Sequence, residues 1–421
     1  MGKKILSLTL TLALSATLVL GGCSARNSAE NGDEPNKYTV ASKEPVENVK
    51  PTKTSEPSSK EGKATDLGPA VLKISAYKTV SAGDHSLYID DEGNLWVWGQ
   101  NRFGEVGDGS DTTRIMPFKV MTEVVSVSSG GFHSMAIKSD GSLWAWGHND
   151  RGQLGDGTNE DKYLPVKIMD DVTSVTASNW ATMAIKTDGS LWAWGLNHYG
   201  ALGDGTNQDR NTPVKILDHV VMAAPSDEYA LAIRADGSLW GWGGNSYGQL
   251  ADDQGFMSSR PPFKIMDDVV SVAAGGQFAY AIKSDGSLWS WGSNGCGELG
   301  DGTREDRRTP KKIMDDVVSI SAGNQHGMAL KKDGTLWAWG RNDVYQLSEN
   351  CTEELVLSPV QIMEDIAMVS TGNHVTLVQK NDGTLWVWGS TEKGSLGYST
   401  VFGSPVPVNL IMGSTVEIYY R

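Results

Sequence analysis

Residues 139–147 read SDGSLWAWG, and residues 187–195 read TDGSLWAWG. The stretch returns seven times, with its first Trp at Trp96, Trp144, Trp192, Trp240, Trp289, Trp337 and Trp386 and its second at Trp98, Trp146, Trp194, Trp242, Trp291, Trp339 and Trp388. Successive spacings are 48 or 49 residues, and of the 15 Trp only Trp180 lies outside the pairs. So regular a period means one supersecondary unit copied seven times.

Each unit reads as short strands. In the second, Val124 to Ser128 is β-branched, Gly130-Gly131 turns, and His133 to Lys138 alternates small or polar with apolar residues. Asp140-Gly141 fits a hairpin, Leu143 to Trp146 follows, and a Gly/Asp/Asn-rich loop leads to a fourth strand, Pro165 to Met169. Asp170-Asp171 turns the chain into the next unit. Residues i and i+2 of a strand share a face, so Trp144 and Trp146 make one face bulky while Ala145 leaves the other flat. The middle residue is Val97, Ala145, Ala193, Gly241, Ser290, Ala338 or Val387, always small or modest. Four-stranded sheets with such faces bury one another when set radially, and the Trp pairs are read as packing between blades.

Units of the form V-x-S-V-x-x-G-x-x-H-S-x-A-I-x-x-D-G-x-L-W-x-W-G-x-N-x-x-G-Q-L-G-D-G, closest at residues 125–157, resemble the regulator of chromosome condensation repeat family. The resemblance covers about residues 77–421. It implies an all-β, seven-bladed β-propeller of ~48-residue four-stranded blades. It also implies two precedents, both protein binders. One is a nuclear exchange factor for a small GTPase on chromatin, and the other is the beta-lactamase inhibitory protein II type. No residue here matches either contact site one by one, so none is carried over. Leu72 to Ile74 and Thr415 to Tyr420 each resemble a spare strand, and either could complete the ring.

The sequence before the repeats has a different character. Lys3 and Lys4 precede a largely apolar run of 16 residues, Ile5 to Leu20, and then Leu20-Gly21-Gly22-Cys23. This order resembles a bacterial lipobox, so residues 1–22 are expected to be a lipoprotein signal peptide and Cys23 the lipidated residue, anchored to the outer face of a bacterial membrane. Residues 23–68 are rich in Ser, Pro, Glu and Lys and are expected to be a disordered tether. The propeller is assigned to residues 69–421. Cys296 and Cys351 sit in loops of neighbouring repeats, where a bridge between them is an alternative to the favoured reading of two unpaired thiols.

Net charge is −15. The basic footprint that nucleic acid requires is missing, so no nucleic acid partner is expected. No H-E-x-x-H, C-x-x-C, Walker-type or G-x-S-x-G motif occurs, and neither metal nor cofactor is expected. The DGTNED loop at 156–161 lacks the ligand spacing of a calcium site. His85, His133 and His326 share a position that elsewhere holds Ala181, Tyr229, Phe278 and Val375, which reads as packing rather than catalysis.

In a simple meander the Gly-Gly turns and long loops share one end of the blades. The Asp-Gly and Asp-Asp turns, uniform and acidic, share the other. The first end varies. Just before the second strand stand Asp84, Phe132, Trp180, Glu228, Gln277, Gln325 and His374, and the loops add Arg102, Phe103, His148, Arg151, His198, Tyr199 and Tyr247. Aromatic and Arg residues on a rigid rim favour protein interfaces. Phe132, Trp180, Tyr199, Tyr247, Arg102, Arg151, His148 and His198 are therefore the candidate partner-binding residues, with Trp180 expected as an exposed indole. The expectation is a monomeric, membrane-anchored, non-enzymatic propeller that binds an unknown protein. The alternatives are an enzyme inhibitor, a glycan-binding lectin, a surface enzyme and, by family analogy, an exchange factor.

Overall fold

The computed structural model describes residues 80–252, 260–348 and 351–390, and the backbone of 404–410, all within the compact unit Ile74–Arg421. The signal peptide, Cys23, the tether, the 68/69 boundary and the spare strands at 72–74 and 415–420 lie outside the described residues, as do parts of the divergent loops of the fourth and sixth repeats.

Seven four-stranded antiparallel sheets form the blades of a propeller, each from four consecutive strands. Blade one comprises β1 (Val80–Ala82), β2 (His85–Ile89), β3 (Leu95–Gly99) and β4 (Arg114–Met121). Blade two comprises β5 (Val124–Ser129), β6 (His133–Lys138), β7 (Leu143–Gly147) and β8 (Lys162–Met169). Strands β9 to β24, from Val172 to Met363, build blades three to six. Blade seven is β25 (Ile366–Thr371), β26 (Val375–Lys380), β27 (Leu385–Gly389) and β28 (Ser404–Leu410). All seven sheets are complete without either spare strand. The Ala82 amide donates to Ser370 Oγ at 3.1 Å and joins the first blade to the last.

The outer strand begins earlier than the sequence suggests, at Lys162 rather than Pro165. Proline is tolerated there because an edge strand has a free side that needs no donor. A register shift between Ala145 and Gly147 takes up the irregular pairing. The turn into the next blade places Asp171, Asp268 and Asp316 at φ of 61 to 64°, a left-handed conformation that Asp adopts more readily than most residues.

The Trp pair divides its work. Trp144 and Trp146 both pack toward blade one, against a cluster containing Leu87, Leu95 and Val97. Ala145 on the opposite face joins the cluster around Trp194 of blade three. The second Trp of every pair is fully buried, whereas the first is partly exposed. Trp146 Nε1 donates across blades to the Glu105 carbonyl at 2.8 Å, and Trp194 Nε1 to Gln153 O at 3.0 Å. The first Trp instead secures its own hairpin. Trp144 Nε1 donates to Ser142 Oγ at 2.9 Å, which donates to Asp140 at 2.6 Å. This explains the Asp-Gly-Ser/Thr-Leu-Trp order. The first Gly of the GDG loop answers the second Trp. At Gly155, with φ +79°, an added Cβ would lie 2.7 Å from Trp194 Nε1.

The recurrent His belongs to the same inter-blade contact. Ser134 Oγ donates to Glu105 O at 2.8 Å, so His85 Nε2, 2.7 Å from Ser134 Oγ, is the donor to that hydroxyl. His133 and Thr182 repeat the arrangement one blade on, with Thr182 donating to Gln153 O. Burial holds the imidazoles far below their usual range, His85 at about 4 and His133 and His326 at about 3. Packing is thus the role of this position. Blade six lacks the hydroxyl, having Gly327 there, and Tyr280 of blade five supplies one. Its OH donates to Glu298 O and accepts from Trp339 Nε1 at 2.9 Å. An added Cβ at Gly327 would collide with that OH.

Candidate functional site

The Gly-Gly turns and the long loops do share one end of the blades. The His148 amide donates to Phe132 O at 2.9 Å, tying the start of the long loop of blade two to its turn, and Leu196 N binds Trp180 O likewise in blade three. The long loops of blades one to six are each organised around a buried Asn that sequence reasoning passed over. Asn149 Oδ1 accepts from Leu154 N at 3.0 Å, while its Nδ2 donates to Asp156 and to the carbonyls of Thr158 and Glu160. Asn197 and Asn294 do the same in their loops. The carboxylates of these loops are engaged internally. Asp156 meets Thr158 and Lys162, and Asp301 meets Arg307 and Lys311, which with its Thr303 bonds hold it below the usual carboxylate range. Among the described residues no group of three or more His, Cys, Asp or Glu is placed to hold a metal ion.

Of the eight candidate residues, three converge with Phe103. The Phe103 and His148 rings stack at 4.0 Å, Phe132 and Trp180 lie 4.8 Å apart, and His148 and Trp180 lie 5.7 Å apart. Phe103 meets Phe132 edge-on at 6.1 Å. Arg102 extends its guanidinium over Phe103, 5.4 Å from the ring centroid. Two carboxylates hold His148, with Nδ1 2.8 Å from Asp161 and Nε2 3.2 Å from Asp150. The loop carrying Phe103 is fixed by Glu105, which accepts from the Phe103 amide at 2.7 Å and whose carboxyl is pushed up by burial. Trp180 is therefore not an exposed indole. It is half-buried, because Phe132 and His148 of the preceding blade cover part of it.

The other candidates stand separately. His198 and Tyr199 stack on each other at 4.5 Å in the blade-three loop, with Tyr199 at φ 59°. Arg151 lies 3.5 Å from Asp209, and Tyr247 is exposed on blade four. The side of blades one and two carries a further apolar group that sequence reading did not single out. Ile115, Met116, Tyr163 and Leu164 are all exposed at the start of the outer strands, where blade three has Asn211 and Thr212.

The opposite end is built as expected from Asp-Gly and Asp-Asp turns. Its carboxylates serve the turns, as Asp140 does with Ser142, and pair along the outer strands, as Lys167 does with Asp170 at 2.7 Å. Cys296 and Cys351 are both buried, and neither forms a disulfide.

The turns of the varying end meet at the propeller axis, around a cavity of about 140 Å³. The glycines there are a matter of space. An added Cβ at Gly83 would stand 2.7 Å from Gly130 O of the next blade, and one at Gly130 would stand 2.6 Å from His133 Nδ1. Neither has a positive φ.

The family model for the regulator of chromosome condensation (RCC1) repeat matches residues 92–137, 140–185, 188–233, 236–282, 285–330 and 333–379. A second model of the same description matches five segments between 78 and 346. No curated protein sequence matches the chain. Among solved structures, yeast RCC1 (Prp20) in its crystal structure with Kap60 is 22% identical, with a TM-score of 0.71 over 87% of this chain and 92% of that one. Prp20p from Saccharomyces cerevisiae is 24% identical, with a TM-score of 0.69 over 78% and 88% of the two chains. Human WBSCR16 is 19% identical, with a TM-score of 0.68 over 76% and 94%. These likenesses establish the fold.

Proposed function

The chain belongs to the regulator of chromosome condensation (RCC1) repeat family, and on that premise we propose that it is a non-enzymatic propeller that binds another protein through the loop end of blades one to three. The observation that carries this reading is the cluster of Phe103, Phe132, His148 and Trp180. A rigid aromatic group flanked by an Arg is the kind of anchor on which protein interfaces concentrate their energy. The exposed apolar side of the same two blades extends it. Two of the similar proteins bind other proteins, Prp20p binding Gsp1p and histones and yeast RCC1 binding Kap60.

A glycan-binding reading receives less support, since ring packs on ring in the cluster and Phe132 occupies part of the Trp180 surface that a sugar would stack upon. The lipobox-like stretch ending at Cys23 supports a lipid anchor on the outer face of a bacterial membrane. That placement is part of the proposal. In it, a membrane-tethered monomer displays the loop end at a distance set by residues 23–68.

The test is a crosslinking capture from the native envelope with the full chain and with a Phe132→Ala/Trp180→Ala variant of unchanged circular dichroism. A protein captured by the first and lost with the second supports the reading. Capture that the variant retains refutes it, and capture competed by free sugar favours a lectin instead. Cys23→Ser is expected to release the protein from membranes, and unchanged membrane association refutes the anchor.

A further inference from the structure

The axial cavity is chemically one-sided. Its wall combines Ser and Thr hydroxyls, Asn amides and glycine backbone with Ala82, Ala177, Pro225, Ala274 and Ala322; Asp227 is the one carboxylate, and no Lys, Arg or His lines it. Asp227 is held by neutral groups only. Its Oδ1 accepts from Asn179 N at 3.1 Å and its Oδ2 from Asn179 Nδ2 at 2.7 Å, which fixes its direction without compensating its charge. Across the axis Asn373 Nδ2 approaches Asn179 Oδ1 at 3.5 Å, and Asn324 stands exposed at the mouth. Asp227 is half-buried, and desolvation raises its carboxyl, which no cation answers.

The size of the cavity limits what can enter. At about 140 Å³ it is well below the roughly 300–1,000 Å³ of small-molecule sites. That size suits the end of one long side chain. Its position matters too. Gly131 and Asn179 line the cavity, and the residues that follow them are Phe132 and Trp180 of the aromatic cluster.

We propose that the axial cavity receives a cationic side-chain tip, a lysine ammonium or an arginine guanidinium, projected by the protein that docks on the aromatic cluster. Both groups are donors only, and they match a wall rich in acceptors with a single uncompensated carboxylate. This rests on the reading of the loop end as a protein-docking surface, and the experiment separates the two.

Ligand-observed NMR on the full chain would compare n-butylammonium, N-butylguanidinium and neutral n-butanol. The two cations are expected to bind and butanol is not. Asp227→Asn should weaken the cations at least about tenfold, the scale of one charge-assisted hydrogen bond. Asn324→Lys, at an exposed position, should abolish their binding by supplying an internal ammonium. Phe132→Ala/Trp180→Ala should leave it intact. No cation binding, equal binding of butanol, or cation binding unchanged in both pocket variants overturns the cavity assignment. Retained cation binding in a chain that captures no protein refutes the docking reading alone.

Discussion

Mild acid should destabilise this propeller through three histidines. His85, His133 and His326 are fully buried, with pKa values near 4, 3 and 3 against 6.5 for a free imidazole. A depressed histidine is neutral in the fold but takes up a proton once the chain unfolds, so stability is present above pH 6.5 and is lost as pH falls toward 3 to 4. Between pH 7 and pH 5 each histidine should cost about 2 kcal/mol, and the three together about 6 kcal/mol. The internally paired carboxylates such as Asp301, held below their usual range, lose their contribution only below about pH 4 and do not enter this window. Glu105, Glu298 and Asp227, raised by burial, act with the opposite sign but equally in wild type and variant. The control is a His85→Phe/His133→Phe/His326→Phe variant, since blade five already holds buried Phe278 at this position. Urea unfolding followed by Trp fluorescence at the two pH values should show a large drop for the wild type and a much smaller one for the variant. An equal drop in both would refute the reasoning.

Trp146→Ala should cost about 3–5 kcal/mol and Trp144→Ala distinctly less, because only Trp146 is fully buried; equal losses in denaturant unfolding would contradict the division of roles. Gly155→Ala should cost about 1–3 kcal/mol, since it combines a φ of +79° with a Cβ against Trp194; a neutral effect on the melting curve would count against that contact. Gly327→Thr alone should be strongly destabilising, and adding Tyr280→Met should restore most of the loss by rebuilding the Met135–Thr182 arrangement of blades two and three; additive losses in the cycle would show that Tyr280 and Gly327 are not coupled.

The fold was legible because its determinants are local and repeated. Trp-x-Trp-Gly announces a strand with one bulky face, Asp-Gly-Ser/Thr announces its hairpin, and the 48-residue period counts the blades. What escaped were contacts between units. Gly130 reads as an ordinary turn residue, yet the neighbouring blade and the His133 ring demand it. The Tyr280–Gly327 exchange spans two blades and leaves no periodic signal, only two departures from the pattern that fall in different units. Asn149 was visible as the recurring Asn of the motif, but its role as the organiser of the loop appears only when its partners 5 to 11 residues on are brought around it. At the site, variability among copies pointed to Phe132, Trp180 and His148. It could not show that these converge while Tyr199 and Tyr247 stand apart, because convergence depends on which loops lean across a blade boundary.

Building every blade from four consecutive strands has a kinetic consequence. Neighbouring blades meet across about one repeat, as Ser81 and Ser129 do, whereas Ala82 and Ser370 meet across 288 residues. Loop-closure entropy makes that last contact about 1.6 kcal/mol more costly than joining adjacent blades. Assembly should therefore proceed blade by blade along the chain, with the ring shutting last. The amide hydrogens of Val80–Ala82 and Ile366–Thr371 should exchange with solvent ahead of those in blades three to five, and a pull applied at the N-terminal side would open the ring there first.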